Sequence, residues 1–382
     1  MRILYAATDQ KVPGTKGGSI HVSAVARGLA ALGHEVHVLT KAGAGGFPAG
    51  AVHWYNVGPP FGLRQLRFLR APAVHALAAA VRADVIVERY YNFGGEGVRA
   101  AGEMHIPYVL EVNAPIVDYP GSPKQMIDRA LLIEPMRRWR NRMCSVAALI
   151  VTPSATIVPA HVDRSRILEV EWGAETDRFH PGAGGAVPFA RRPGEIVAMF
   201  AGAFRSWHGA IKLVEAIRLL RARGRQDIVA VLIGDGPELR RVRQAAAGLT
   251  GVTFTGAQRH EAMPACLAAA DIGVAPFDVG AHAPLALDFY WSPLKIFEYM
   301  STGLPVVAPA IPRLRRIVAD GTEGVLYDAM NPEGLASALV RLADDATLRE
   351  TLGRAGRVRA LREFGWDVHC RTLDEALRRC AS

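Results

Sequence analysis

Cysteine is scarce in this chain: four among 382 residues, Cys144, Cys266, Cys370 and Cys380, with no C-x-x-C or other metal-ligand spacing. That excludes a disulfide framework and a cysteine-held zinc, and reduced structural thiols are expected. Long apolar runs are missing as well. "RILYAAT" and "IVAVLIG" end at turn residues, far short of the roughly 20 residues a membrane-spanning helix needs. The opening "MRILYAATDQ" lacks the apolar core and small-residue cleavage site of a secretory leader, so a cytoplasmic protein is expected. Neither G-x-G-x-x-G nor the Walker lysine context occurs, which argues against a dinucleotide fingerprint and a P-loop. An aromatic-rich basic motif of a known nucleic-acid type is also lacking, and no nucleic acid is expected as partner. Acid is in deficit, 36 Asp and Glu against 45 Lys and Arg, for a formal charge of +9. Such a balance suits acidic partners, whether nucleotide phosphates or anionic lipid headgroups, without choosing among them.

What the chain does have is alternation. Short apolar strands recur between helical patterns almost throughout, the signature of α/β architecture with parallel sheets. "RILYAAT" (2–8) reads as a strand, "SIHVSAVARGLAAL" as a helix with Ser19 as its cap and Gly33 as its stop, and "HEVHVLT" as the next strand. Further strands are expected at 83–90, 106–113 and 147–153. The stretch "GAGGAVPFARRPG", rich in glycine, proline and arginine, is the best linker, and a second α/β series follows it. The length fits two domains of roughly 150 to 200 residues. We expect two Rossmann-like doubly wound domains facing a cleft, over 1–180 and 181–365, with a C-terminal helix over 366–382 packing back towards the first. Such sheets bind ligands beyond the carboxyl ends of their strands.

Four stretches carry chemistry. In "SPLKIFEYMSTG", Ser292 suits an N-cap and Pro293 the first helical position, leaving the amides of Leu294 and Lys295 free at a helix start. With the Lys295 ammonium this makes an anion site, and Glu298, on the same face, could accept from the two vicinal hydroxyls of a ribose. A plain intrahelical Lys295–Glu298 pair is the competing reading. "GTKGGSIHV" sets Gly17 and Gly18 between strand and helix, where backbone without Cβ can approach a phosphate; a flexible loop tipped by Lys16 is equally open. "FAGAFRSWHGAIKLVEA" repeats that pattern, with Arg205 able to grip a diphosphate and His208 able to donate to one, unless the first is merely solvated and the second a structural imidazole. Turns at Gly234 and at Gly256 with Gln258 are candidates for a base-binding slot, or ordinary connections.

In order and spacing these stretches, with "WGAETDRFHP", "IGDGPEL" and "GVTFTGAQ", resemble the GT-B-fold retaining glycosyltransferases of family 4, over almost the whole chain. The resemblance implies transfer of a sugar from a nucleotide diphosphate sugar, UDP-linked ahead of GDP-linked, to a hydroxyl on a small-molecule, glycan or lipid-linked acceptor. It implies a glycine loop, Gly17 and Gly18, over the donor diphosphate, catalytic charge stabilisation by Arg205 and Lys295, and a ribose contact at Glu298. Retention would follow from attack on the face the diphosphate leaves, with no enzymic nucleophile. No aspartate-x-aspartate loop occurs, so neither metal nor cofactor is expected beyond the nucleotide sugar as co-substrate. Three departures stand out. Tyr290 replaces the first glutamate of E-x7-E, His208 replaces the usual lysine, and "LEVNAP" puts Glu111 and Asn113 where relatives carry a cleft histidine. Asn113, Glu111, Tyr290, Ser292 and Pro293 are therefore assigned to the donor sugar or acceptor. Glu88 and Arg89 are expected near the cleft or as a buried pair with each other.

"PFGLRQLRFLRAP" (60–72) interleaves Arg64, Arg67 and Arg70 with apolar residues, and "EPMRRWRNRM" adds arginines and Trp139. Both could rest on an anionic membrane surface, making the protein peripheral there. A nucleotide-sugar epimerase of the same fold, or a nonenzymatic nucleotide-sugar-binding protein, is the alternative to a transferase.

Overall fold

A computed structural model describes residues 1–381 except Thr15, Pro120 and Ile133, and Arg64 in its backbone only. Two compact units share the chain. The first comprises Met1–Trp172 with Tyr290–Ser292 and the stretch from Trp366; the second comprises Gly173–Phe289 and Pro293–Gly365.

In the first unit β1 (Arg2–Val12), α1 (Gly17–Ala31), β2 (Glu35–Ala42), β3 (Val52–Asn56), α2 (Ala71–Ala80), β4 (Val85–Arg89), α3 (Glu96–Met104), β5 (Tyr108–Glu111), α4 (Pro123–Leu131), α5 (Pro135–Val146), β6 (Leu149–Thr152) and β7 (Ile167–Glu169) follow in turn. The sheet order is β3-β2-β1-β4-β5-β6-β7, with every pair parallel. Ile3, Leu4, Tyr5 and Ala6 of β1 are buried, as are Val85, Ile86 and Val87 of β4. Helices on both faces of a parallel sheet require such continuous apolar runs. Strand order reverses beside β1, so the carboxyl ends of β1 and β4 flank the switch point where such sheets bind ligands.

The second unit repeats the plan with β8 (Ile196–Ala201), α6 (Ala210–Ala222), β9 (Ile228–Ile233), α7 (Leu239–Ala245), β10 (Val252–Gly256), α8 (Met263–Ala268), β11 (Ile272–Val274), α9 (Leu294–Ser301), β12 (Val306–Pro309), α10 (Pro312–Ile317), β13 (Gly324–Tyr327), α11 (Gly334–Asp344) and α12 (Ala346–Glu363). Its order, β10-β9-β8-β11-β12-β13, places the switch point between β8 and β11. Phe200, Leu213, Ile217, Leu232 and Leu339 fill one face of the sheet.

Helix α13 (Trp366–Ala381) belongs to the first unit and lies on α1. Contact is close: a Cβ on Gly28 would stand 2.3 Å from Cys370 Sγ. His34 Nε2 meets Asp374 at 2.7 Å, and His369 Nδ1 donates to the Glu171 carbonyl at 2.7 Å. Among the described residues no helix is long and apolar enough to cross a membrane.

Several local expectations are corrected. α1 starts at Gly17, so Ser19 lies within it rather than capping it. α9 starts at Leu294 with Pro293 as its cap residue and no capping side chain. Ser292 cannot cap because its hydroxyl is already engaged, donating to Glu171 at 2.6 Å and accepting from the Trp172 amide at 3.0 Å.

Candidate functional sites in the two units

In the second unit, β8 runs into Gly202 and a short loop that returns as α6. The loop lies hard against the extension of β11: a Cβ on Gly209, at φ +68°, would sit 1.7 Å from the Pro276 carbonyl oxygen. Only glycine combines that backbone with that approach. Lys295 enters the switch point from α9, its ammonium 3.1 Å from where a Cβ on Gly202 would stand. It is buried, finds no hydrogen-bond partner among the described residues, and lies 4.1 Å from the Phe200 ring centroid and 5.1 Å from that of Phe277. Burial lowers its pKa to about 7, with Glu298 pulling the other way. Cation–π contact offsets only part of the lost hydration. The first-turn amides of Leu294 and Lys295 have no intrahelical acceptor, so the start of α9 supplies donors suited to an anion as well as the ammonium.

His208 Nδ1 donates to the Ala203 carbonyl at 2.6 Å. A carbonyl only accepts, so in the neutral ring Nδ1 carries the proton and Nε2 is bare. Burial first, then the Lys295 charge, lowers its pKa to about 3. Neutral His208 thus offers a phosphate an acceptor, where a donor was expected. Arg205 is exposed, its guanidinium 5.4 Å from the Trp207 ring centroid, and it closes no ion pair among the described residues.

One turn along α9, Glu298 has its pKa raised to about 7 by burial, against the pull of His260. Glu298 and Lys295 close no ion pair among the described residues, which disfavours the plain intrahelical pair. Beside Glu298, His260 Nε2 meets Glu175 at 3.0 Å, and Glu175 also accepts from Arg178 at 2.6 Å. The Glu175 bond raises the His260 pKa. Gly234 and Gly256 are neighbours at the ends of β9 and β10, joined by a 3.0 Å amide–carbonyl bond. Nothing lies within 4 Å of a Cβ on Gly256, whereas Gly234 backs onto Gly202. Gln258 turns its amide back to the Thr255 carbonyl at 3.0 Å.

The first unit holds a second cluster at its own switch point. Arg89 ends β4 and donates to Glu111, at the end of β5, at 2.6 Å. Tyr5 donates to the other oxygen of Glu111. Asn113 donates to Glu111 through Nδ2 and accepts from the Trp172 indole at 3.0 Å through Oδ1, so both ends of its amide are fixed. His21 Nδ1 lies 3.5 Å from Glu111 without a hydrogen bond, its ring 4.4 Å from that of Trp172; burial and then Arg89 hold it neutral. A Cβ on Gly18 would stand 2.4 Å from Gln10 Oε1 and 3.3 Å from Arg89 Nη2. Gly18 therefore makes room for the protein's own side chains as well as opening α1. Tyr290 is buried in this unit beside Trp291.

Glu88 and Arg89 do not pair with each other. Glu88 accepts from the Gly95, Gly97 and Val98 amides at 2.5, 2.8 and 3.2 Å, a carboxylate at the positive end of α3. Arg67 is wholly buried, donating to Glu96 at 2.5 Å, Asp9 at 3.0 Å and the Arg89 carbonyl at 2.9 Å. It cannot reach a lipid surface. Tyr5, Asp9, His21, Trp172, Glu175 and His260 escaped the sequence reading, in which Arg67 has another role. The available signal was a polar residue ending an apolar strand, as in "YAATD" and "VIVER".

Residues 195–345 match the family described as Glycosyl transferases group 1, and residues 15–167 match Glycosyltransferase Family 4. A D-inositol 3-phosphate glycosyltransferase of Salinispora tropica is 29% identical over 96% of this chain and 81% of that one. A GDP-mannose-dependent alpha-mannosyltransferase of Corynebacterium glutamicum is 23% identical over 98% and 87%. Among solved structures, a sucrose-phosphate synthase from Thermosynechococcus elongatus superposes with TM-score 0.75 at 19% identity, covering 99% of this chain and 98% of that one. Anabaena HepE in complex with UDP gives 0.70 at 17%, covering 99% and 100%. With both halves matched and the two Rossmann-like sheets in place, the chain belongs to the GT-B-fold glycosyltransferases of group 1, family 4.

Proposed function

We propose that this glycosyltransferase takes its sugar from a nucleotide diphosphate sugar, UDP-linked ahead of GDP-linked, and transfers it with retention to a hydroxyl acceptor. The observation that carries the reading is the buried Lys295 ammonium at the β8–β11 switch point, with no hydrogen-bond partner among the described residues, on a helix whose first-turn amides have no intrahelical acceptor. A diphosphate would supply the missing counter-charge. Arg205, exposed on the loop after β8, would close on it, and Glu298 would accept from the ribose hydroxyls one helical turn on. Negative charge grows on the departing diphosphate in the transition state, so Lys295 and Arg205 would bind it more tightly there than in the ground state. The acceptor hydroxyl would attack on the leaving side and pass its proton to a donor phosphate oxygen. Asn113, with its amide held by Glu111 and Trp172, is assigned to the sugar or the acceptor.

Isothermal calorimetry with UDP and GDP tests the donor class. Binding of one nucleotide, weakened in both Lys295→Ala and Glu298→Ala, supports the reading. A folded protein that binds neither would sink it. With a donor sugar and acceptor in hand, the anomeric proton coupling of the product distinguishes retention from inversion, and formation of an epimer from donor alone would favour the epimerase instead.

A further inference from the structure

Away from its polar cluster, the first unit carries an open groove of about 350 Å³ walled by Phe68, Phe93, Met136 and Trp139. The segments that supply its walls also supply two unusual loop tips. Phe61, a few residues before Phe68, is 92% exposed at φ +53°, and Leu132, just before α5, is 86% exposed at φ +57°. At no more than about 3.5 Å per residue, Leu132 lies within about 14 Å of Met136. Left-handed backbone favours glycine or asparagine, and a bulky apolar residue there carries strain. Neither side chain recovers that strain by burial within the protein. Leu63 and Leu69 on the same segment add further exposed apolar surface.

Charge identifies the occupant. α5 contains four arginines and no acid. Arg140 is buried against Asp118 and Asp128, but Arg138 and Arg142, like Arg129 on α4, are exposed and close no ion pair among the described residues. A second copy of this chain would bring the same arginines against these on a two-fold interface, where they would repel. We propose that this face docks on an anionic lipid surface, with Phe61 and Leu132 entering the acyl layer, Arg138 and Arg142 at the headgroups, and the groove receiving an apolar part of a lipid. The face lies on the two segments expected from sequence, but without Arg67, which is buried, or Arg70, which donates to the Gly58 carbonyl at 2.7 Å. It is independent of the donor reading.

Co-sedimentation with vesicles of phosphatidylcholine, alone or mixed with phosphatidylglycerol, tests it on the full chain. Binding to the mixed vesicles that weakens with salt is expected. Phe61→Gly with Leu132→Gly removes both tips and relieves the backbone, so the fold should melt no lower while partitioning falls at least about tenfold. Arg138→Gln with Arg142→Gln should lower it by about fivefold per arginine. UDP affinity should be unchanged in both variants, which separates failure here from failure of the donor reading. No binding of the parent chain to anionic vesicles, or equal binding by both variants, overturns the proposal. So does a dimer in solution that the glycine variants dissociate.

Discussion

Lys295 is one residue whose chemistry the sequence suggested and whose environment makes it sharper. Its lowered pKa means that, between about 7 and the ordinary 10.5, the unfolded chain holds a proton that the folded protein has released. Stability of the ligand-free protein should therefore rise with pH across that window, as far as this group goes. Glu298 acts oppositely: raised to about 7 from 4.5, it binds a proton more readily when folded, so its contribution fades as pH rises from 4.5 to about 7. Thermal melts against pH should show both limbs, the alkaline one lost in Lys295→Met and the acid one in Glu298→Gln. On the proposed function a bound nucleotide faces the ammonium, so affinity should fall as pH rises above about 7, with proton uptake visible as a buffer-dependent calorimetric heat. Lys295→Arg, which stays charged, should flatten that profile. Lys295→Met should keep the fold and weaken UDP binding by about 2 kcal/mol, the loss of a charge-assisted contact. Residue spacing alone revealed the lysine and glutamate on one helix face. It could not reveal that the lysine is unpaired, because Phe200 and Phe277, which surround it, come from other parts of the chain.

At the level of elements, the loop between β8 and α6 is held by contact rather than by its own hydrogen bonds alone. Gly209→Ala would drive a methyl group into the Pro276 carbonyl. A loss of about 2–4 kcal/mol in urea denaturation is expected, with UDP binding lost alongside because Arg205 and His208 ride on the same loop. The connection after β7 matters in another way. Trp172→Phe keeps an aromatic ring beside His21 but removes the indole donor to Asn113, so turnover should fall with nucleotide affinity unchanged; a fall in UDP affinity of the same size would count against that role. The strand–loop–helix pattern at Gly202–Ala210 was legible because apolar runs and glycine punctuate it. The Trp172–Asn113 bond was not, since the two residues lie 59 positions apart and neither type announces its partner.

For the molecule as a whole, two units of the same plan depend on different internal supports. Arg67 neutralises Glu96 and shares Asp9 with Arg89 deep in the first unit, and Arg67→Met would leave Glu96 buried without that counter-charge. A cost of about 3–5 kcal/mol is expected. It should appear only in the calorimetric transition of the first unit, and Glu96→Leu in the same chain should recover part of it. Deleting the chain from Trp366 onward should likewise melt the first unit, which loses the packing of Cys370 on Gly28, while the second retains UDP binding. A single transition lowered throughout would contradict that independence. By itself the sequence determined the alternation of strand and helix, the two parallel sheets and the glycosyltransferase family, because periodicity, glycine placement and motif order are properties of contiguous residues. Tertiary structure alone decided that Arg67 is a core ion and not a lipid contact, that Ser292 serves Glu171 and Trp172 rather than its own helix, that His208 presents a bare nitrogen, and that Lys295 has no counter-charge. Each depends on a partner, or on the want of one, distant in the chain, and burial and Coulomb energy follow distance in space.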